Sequence, residues 1–409
     1  MRQFENLLLI AVIWCGAKSA PAQAWTQTSA PTTNYWNTVA CSADGSKIVA
    51  TFNYTPNGQG GYANIEGIYT STNSGNSWIK SSSTSNGWSS IASSADGSKW
   101  VAIGEDLLDS GHLVYTSTNS AIAWTLTSTP SNLITVASSA NGTNLAAIGG
   151  DGFSTNFIYV STNSGVSWAQ TRAPATNWSA IASSADGTKL VAVVNAANVG
   201  AGIGGPVFTS TNSGTTWAQA VAVTGASGWS EVASSADGTK LAAVDYNHIF
   251  VSTNSGVNWA QTMAPFASWG SIASSADGSK LIASTFFNAP YLIYTSTNSG
   301  ASWTSNNIPN QQHYVVACSA DGNAMVASSR SNIYTARITP LPRLALSLSA
   351  GKVMTSWIVP STNFVMQQSV DLKSWANMTN QPVLNFTNLQ NEVVLPPPSS
   401  NVFYRLKTP

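Results

Sequence analysis

Ser161-Thr-Asn-Ser-Gly-Val-Ser-Trp168 is the stretch that decides the fold. The pattern Ser-Thr-Asn-Ser-Gly-x-x-Trp returns at Ser71–Trp78, Ser210–Trp217, Ser252–Trp259 and Ser296–Trp303, and a sixth copy, Ser117–Trp124, carries Ala121 in place of the glycine. Apolar and β-branched residues precede each copy (Ile158, Tyr159 and Val160 here), so the box reads as a tight turn between antiparallel strands. Asn163 and Gly165 are the residues expected to take φ > 0, and the Asn side chain can bond the backbone of its own turn. The Trp is expected to pack over the hairpin. Ala121 predicts a strained turn or one of another type.

A second motif alternates with the first. Its Ala-(Asp/Asn)-Gly core starts at Ala43, Ala95, Ala140, Ala185, Ala236, Ala276 and Ala320, at intervals of 40 to 52 residues. Asp-Gly between apolar runs is a hairpin signal. Asp186-Gly187 fits, lying between Ile181-Ala182 and Leu190–Val193. A calcium loop needs several oxygen ligands converging on one ion, and each turn offers a single carboxylate. Two turns and four short strands per repeat describe a propeller blade, with strands A to D. In the fourth unit, A is 178–184, B 189–194, C 207–210, and D starts at Trp217.

The ends of the repeat array give the blade count. Seven Asp-Gly-type motifs stand against six boxes, and the seventh unit stops after its third strand, at 332–336. Trp25-Thr-Gln-Thr-Ser-Ala-Pro31 matches Trp168–Pro174 and Trp259–Pro265, so the N-terminus is expected to supply the missing outer strand. The expected fold is all-β: a seven-bladed propeller over 25–337, closed by an N-terminal strand. Closure leaves no exposed edge. Cys41 and Cys318 occupy the position held elsewhere by Ser93, Ser138, Ser183, Ser234 and Ser274. Closure makes them neighbours and a disulfide candidate, opposed by a separation near the ~7 Å Cα limit.

The box resembles the Asp-box, or bacterial neuraminidase repeat, Ser-x-Asp-x-Gly-x-x-Trp, with Asn at the Asp position in all six copies. That family includes sialidases, sortilin-type receptors, xyloglucan hydrolases and a photosystem II assembly-factor propeller. The resemblance covers 25–337 and implies the propeller fold. It implies little about activity, because in that family the box lies on the face away from the active sites.

Residues 1–24 read as a secretory signal: Arg2, the apolar run Leu7–Trp14, and Ala22-Gln23-Ala24 as a small-x-small cleavage site. Trp14 before Cys15 disfavours lipoprotein processing. The chain is expected to be exported, secreted or held at the cell surface. No later stretch is apolar enough to span a membrane. Basic and acidic residues balance at 16 each, and charged residues make up only 8%. There is no basic stripe for nucleic acid and no polybasic lipid patch. Residues 338–343 read as a linker. Residues 344–409 lack boxes and alternate apolar with polar residues, which predicts a small β-sandwich. Val365–Ser369, Asp371, Leu372, Trp375 and Phe403–Leu406 resemble a C-terminal module repeated across secreted bacterial proteins.

Function is expected on the face of the B–C loops, which vary while the turns do not. Trp36, Trp88, Trp178, Trp229 and Trp269, with His313 in the same column, could form a stacking ring for sugars; the competing reading is blade-to-blade core. A sialidase, by the resemblance, needs three convergent arginines, and the array holds only Arg172, Arg330 and Arg337, none at the start of an A strand. A glycosidase needs two carboxylates across a cleft. Candidates are Glu105, Asp106, Asp151 and Asp245, with Glu66 and Asp109 also in B–C loops and Glu231 outside them; solvated loop acids are the commoner case. His112, His248 and His313 come from three separate blades, too wide for one zinc. No cofactor and no metal is expected, and the chain is expected to be a monomer. The reading is a non-catalytic binding or scaffold protein for a glycan or an extracellular protein. The alternatives are a glycoside hydrolase or lyase using the loop acids, and a purely structural spacer.

Overall fold

The computed structural model describes residues 24–407, apart from 33, 57–61, 64–66, 84–86, 106–110, 128–131, 151–154, 196–204, 221, 222, 224, 288–290, 307, 309–312, 339–343, 350, 351, 359–364, 380, 381, 386–389 and 396–401. The expected signal segment (apart from Ala24) and most of the linker lie outside the described residues. Every described element is a β-strand.

Seven antiparallel sheets occupy 25–337. The fourth sheet shows the plan: Trp178–Ser183, Leu190–Val194, Val207–Ser210 and Ala218–Gln219, hydrogen-bonded in chain order. The first strands of the other sheets are Tyr35–Cys41, Gly87–Ser93, Leu133–Ser138, Trp229–Ser234, Ser268–Ser274 and His313–Cys318. Each touches the first strand of the next sheet, and the seventh touches the first. In the seventh sheet the outer strand is Trp25–Gln27. It pairs antiparallel with Ile333–Arg337, Trp25 opposite Ala336, as its match to the other repeats predicted.

Second strands such as Leu190–Val194 are buried at every residue, because both faces are covered by neighbouring sheets, so their sequence is a continuous apolar run. A branched residue on each first strand faces an alanine on the second: Ile91 opposite Ala102, Ile181 opposite Ala192, Ile272 opposite Ala283. These alanines are wholly buried, so sheets can approach closely at this level. Seven apolar clusters fill the junctions. Each joins two consecutive sheets, and the one holding Trp36, Val39, Val326 and Ile333 joins the seventh to the first.

Each first strand also carries a bulge one residue after the Trp column, at Asn37, Ser89, Ile134, Ser179, Ser230, Gly270 and Tyr314. The extra residue adds twist and moves the side-chain alternation by one.

The seven motif alanines form a closed circuit of backbone hydrogen bonds. Ala43 N–H donates to Ala95, Ala95 to Ala140, Ala140 to Ala185, Ala185 to Ala236, Ala236 to Ala276, Ala276 to Ala320, and Ala320 back to Ala43, all at 2.6 to 2.7 Å. Alanines of the ring pack on one another. At the ~4.8 Å spacing of hydrogen-bonded neighbours, seven residues leave a ring only about 11 Å across at its Cα atoms, so the methyls fill much of it.

Beyond 343 the chain forms two small sheets. One holds Ala345–Ser349, Lys352–Ile358, Gln390–Val394 and Val383–Asn385; the other holds Ala376–Asn377, Val365–Ser369 and Phe403–Lys407. Trp357, Val393 and Leu395 meet Met366, Tyr404 and Leu406 in a common core.

Candidate functional site

The two kinds of turn lie together at one end of the sheets. The N–H of the second box serine donates to the Asp-Gly or Asn-Gly turn of its own sheet, as Ser213 does to Thr188 at 2.8 Å and Ser164 to Thr143 at 2.9 Å. The opposite end carries the B–C connections and those between sheets.

In the box, Asn163 is the hub. Its Oδ1 accepts from the Ser167 N–H at 2.9 Å and from the Ser161 hydroxyl at 2.9 Å, while Nδ2 donates to Ser167 Oγ at 2.9 Å. Ser161 Oγ also accepts from the Gly165 N–H at 2.9 Å. Asn163 is not the residue with positive φ. Ser164 (58°) and Gly165 (84°) are, and the same pair of positions is positive in every copy. Ala121 does not change the turn type; it sits at φ 62° within the same turn, fully buried. A side chain at φ > 0 keeps the strain, and the turn is held by the hydroxyl of Ser117 on the Ala121 N–H.

The Asp-Gly turns are as self-contained. Asp186 accepts from the Ser184 hydroxyl at 2.6 Å, the Thr188 N–H at 2.9 Å and the Thr188 hydroxyl at 2.8 Å. Partial burial alone would raise its pKa, but these hydrogen bonds to the charged form outweigh it and hold Asp186 below the usual carboxylate range. The same balance lowers Asp96, Asp237 and Asp277. Lys47, Lys189 and Lys280 each cross from their own motif to the next turn. Lys47 Nζ donates to the Asp96 carbonyl at 2.9 Å, and Lys189 Nζ to the Asp237 carbonyl at 2.8 Å. The stem lies over the next glycine: a Cβ on Gly238, at φ 64°, would come within 2.8 Å of Lys189 Cβ. With their carboxylates occupied by their own turns, these residues do not converge as calcium ligands. Among the described residues no group of three His, Cys, Asp or Glu side chains could hold a metal.

The structure corrects the stacking ring. Trp36, Trp88, Trp178, Trp229 and Trp269 are at most 2% exposed, so no ring face is free for a sugar. Each sits at a sheet junction within an aromatic triad of its own sheet. Trp178 meets Phe208 edge-on at 5.1 Å and the box Trp217 at 6.3 Å, and Trp229 meets Phe250 at 5.3 Å and Trp259 at 6.1 Å. Trp178 Nε1 donates to the Pro174 carbonyl at 3.0 Å, and Trp229 Nε1 to Gly205 at 2.7 Å. The bulge directly after each Trp is part of the reason: it shifts the alternation that a plain strand would follow. His313 begins its strand opposite Ser329, but its side chain lies outside the described residues.

Cys41 and Cys318 are free thiols, so the candidate disulfide is not formed. Burial dominates their chemistry. It pushes Cys318 up to about 12, with Asp321 adding to the rise and Lys280 opposing it, and raises Cys41 further, where Cys318, Asp44 and Asp321 all add. Both stay protonated and unreactive at neutral pH.

Of the loop acids, Asp245 is also corrected. It is fully buried, and its carboxylate accepts from the N–H groups of Ser227 (2.8 Å), Asn247 (2.7 Å) and His248 (2.5 Å), and from the Ser227 hydroxyl at 3.2 Å. Its lone pairs are spent on fixing the 245–248 turn, so it has none for a substrate. Asp106, Asp151 and the Glu105 side chain lie outside the described residues. His112 stands opposite Glu105 in the second sheet, whereas His248 belongs to the fifth.

Two features escaped sequence reasoning. Glu231 is the only acid in a column of first-strand residues that reads Thr38, Ser90, Thr135, Ala180, Ser271 and Val315 elsewhere. It accepts from the Ile272 N–H of the next sheet at 2.9 Å, as Ser90 accepts from Val136 and Ser271 from Val316. The residue keeps slight exposure, but its carboxylate is enclosed at the junction, and burial pushes its pKa up to about 7. The second feature is an aromatic group around the 245–248 turn. Phe266 and Tyr246 are 75% and 42% exposed, and the His248 ring lies edge-on to Phe266 at 5.5 Å and to Phe250 at 6.0 Å. Only their aromatic character, scattered over two loops, marked them in the sequence.

No family model matches the chain, and no curated protein matches it. Solved structures do. A GH74 xyloglucanase from Xanthomonas campestris superposes with a TM-score of 0.57 at 13% identity, over 82% of this chain and 59% of that one. The YCF48 protein, in a structure described as bound to D1 peptide, gives 0.55 at 13% identity over 79% of this chain and 97% of that one. The Cps50 (Swd1) β-propeller domain of Myceliophthora thermophila gives 0.56 at 13% identity, over 77% and 100%. At that identity the likeness shows the fold alone: the repeats build a β-propeller, and the chain spans little more than half of the xyloglucanase.

Proposed function

We propose that the chain is an exported, seven-bladed propeller followed by a small β-sandwich, and that it acts as a non-catalytic binding protein for a glycan or an extracellular protein, taken on the face of the B–C loops. The observation that carries this reading is the closed circuit of seven alanines. It draws the turn end of the ring in to about 11 Å across at its Cα atoms, and the varied connections lie at the loop end. The turn end is uniform and its acids are engaged by their own turns; its hollows are small repeats of one arrangement, lined by the turns of neighbouring sheets, as by Ser161, Gly187 and Ser213. The low overall charge, the signal segment read in the sequence and the C-terminal module suit a protein working outside the cell. Two fold relatives are described with a sugar-directed activity or a bound peptide, so both ligand classes have precedent on this scaffold.

The test is a binding screen of the full chain against soluble polysaccharides and secreted-protein fractions, with release of reducing ends followed in parallel. Binding without release is expected. Release of reducing ends that is lost in Asp106→Asn or Asp151→Asn would contradict the non-catalytic reading and favour the glycoside hydrolase.

A further inference from the structure

Resting on the binding reading above, we infer that the loop face of the fifth and sixth sheets carries a subsite for a neutral saccharide, with Tyr246 and Phe266 as its stacking surfaces. The five buried tryptophans take no part in it.

Three observations lead there. First, aromatic rings are exposed here. Phe266 is 75% exposed and Tyr246 42%, and the adjoining Met263 is 84% exposed. Both rings belong to one local assembly, Tyr246 within the 245–248 turn and Phe266 edge-on to His248 of the same turn. Second, the platform is built. Buried Asp245 holds the 245–248 turn through four hydrogen bonds, reaching Ser227 on the neighbouring connection. The Ala267 N–H binds the Asn247 carbonyl at 3.4 Å, which ties the Phe266 segment to the same turn. Tyr246 lies beside Gly228, whose φ of 137° only glycine takes readily; a Cβ there would come to 3.6 Å from the tyrosine ring. Pre-organised rings lose little entropy on stacking.

Third, the charge pattern selects the ligand. Segments 195–206, 221–228, 245–248, 262–267 and 285–292 contain only two ionisable groups besides tyrosine: Asp245, which is buried, and His248. The loop acids Glu66, Glu105, Asp106, Asp109 and Asp151 all belong to the first three sheets. The neutral, aromatic surface of Tyr246 and Phe266 complements the C–H face of an uncharged sugar. It gives an anionic polymer or a charged peptide nothing to pair with.

The test is affinity electrophoresis and calorimetry of the full chain on a β-glucan, a mannan, a galactan and the anionic polygalacturonate, beside Tyr246→Ala and Phe266→Ala. Both side chains are exposed, so the variants should melt with the wild type. Retention by at least one neutral polysaccharide is expected, with each variant weakening it tenfold or more. Neutral-glycan binding unchanged in both variants overturns this subsite but leaves the binding reading standing. Binding to polygalacturonate alone, or to peptides alone, overturns the neutral-saccharide assignment. No glycan or protein binding at all overturns both.

Discussion

Glu231 shows how a single residue can make the molecule sensitive to pH. Its carboxyl is enclosed between two sheets and titrates near 7, above its ordinary value of 4.5. A raised carboxyl pKa means the folded state prefers the protonated form. The stabilisation is complete below about pH 4.5 and is lost as the pH rises through 7. Glu231→Gln keeps an oxygen to accept from Ile272 N–H and removes the titration. Chemical denaturation should therefore find the variant more stable than wild type at pH 8 by about 1–3 kcal/mol, with the difference shrinking towards pH 5. Equal stabilities at both values would show that the carboxylate is solvated. The box asparagine gives a second residue-scale prediction. Asn163→Ala strips the turn of three side-chain hydrogen bonds and should cost about 1–2 kcal/mol, measured by thermal melt. Asn163→Asp can still accept from the Ser167 N–H and hydroxyl and should stay within about 0.5 kcal/mol of wild type.

At the scale of the element, turns and strand order were legible in the sequence because both motifs are local. Asp186-Gly187 and Ser164-Gly165 turn the chain within their own eight residues, whatever packs on them. What the sequence hid was non-local. Spacing alone cannot reveal the bulge at Ser179, and the bulge helps turn Trp178 from a rim residue into a junction residue. Asp245 looked like a loop acid because its partners, Ser227 and the 247–248 amides, are brought together only by folding. Closure brought Cys41 and Cys318 together as the sequence indicated, and of the two readings, disulfide or free thiols, the structure has the free thiols. Two predictions belong here. Trp178→Ala should destabilise by about 3–5 kcal/mol, as a large buried ring is lost, without a specific effect on any ligand once the fold is held by temperature. Ala192→Leu, which forces a larger side chain against Ile181 where two sheets close, should cost about 1–3 kcal/mol or more by denaturant titration. A neutral result there would mean the junction is looser than its buried alanines indicate.

At the scale of the whole molecule, the two ends of the array meet: Trp25–Gln27 completes the seventh sheet, and Ala320 returns the hydrogen-bond circuit to Ala43. The ends of the motif count showed that a strand was missing and where it came from. The circuit itself was not legible, since Ala-Asp-Gly reads only as a turn. Once the circuit exists, the two ends of the ring differ in kind. The turn end is repetitive and its acids are bonded within their own turns, while the loop end is varied, with Tyr246 and Phe266 exposed at the fifth sheet and its connection to the sixth. The measurement that bears most directly on this is native-state hydrogen exchange at the amides of Ala43, Ala95, Ala140, Ala185, Ala236, Ala276 and Ala320. If the ring is closed, all seven should be protected alike and exchange only with global unfolding. Fast exchange at Ala320, the amide that bonds across the seam to Ala43, with the other six protected, would contradict it.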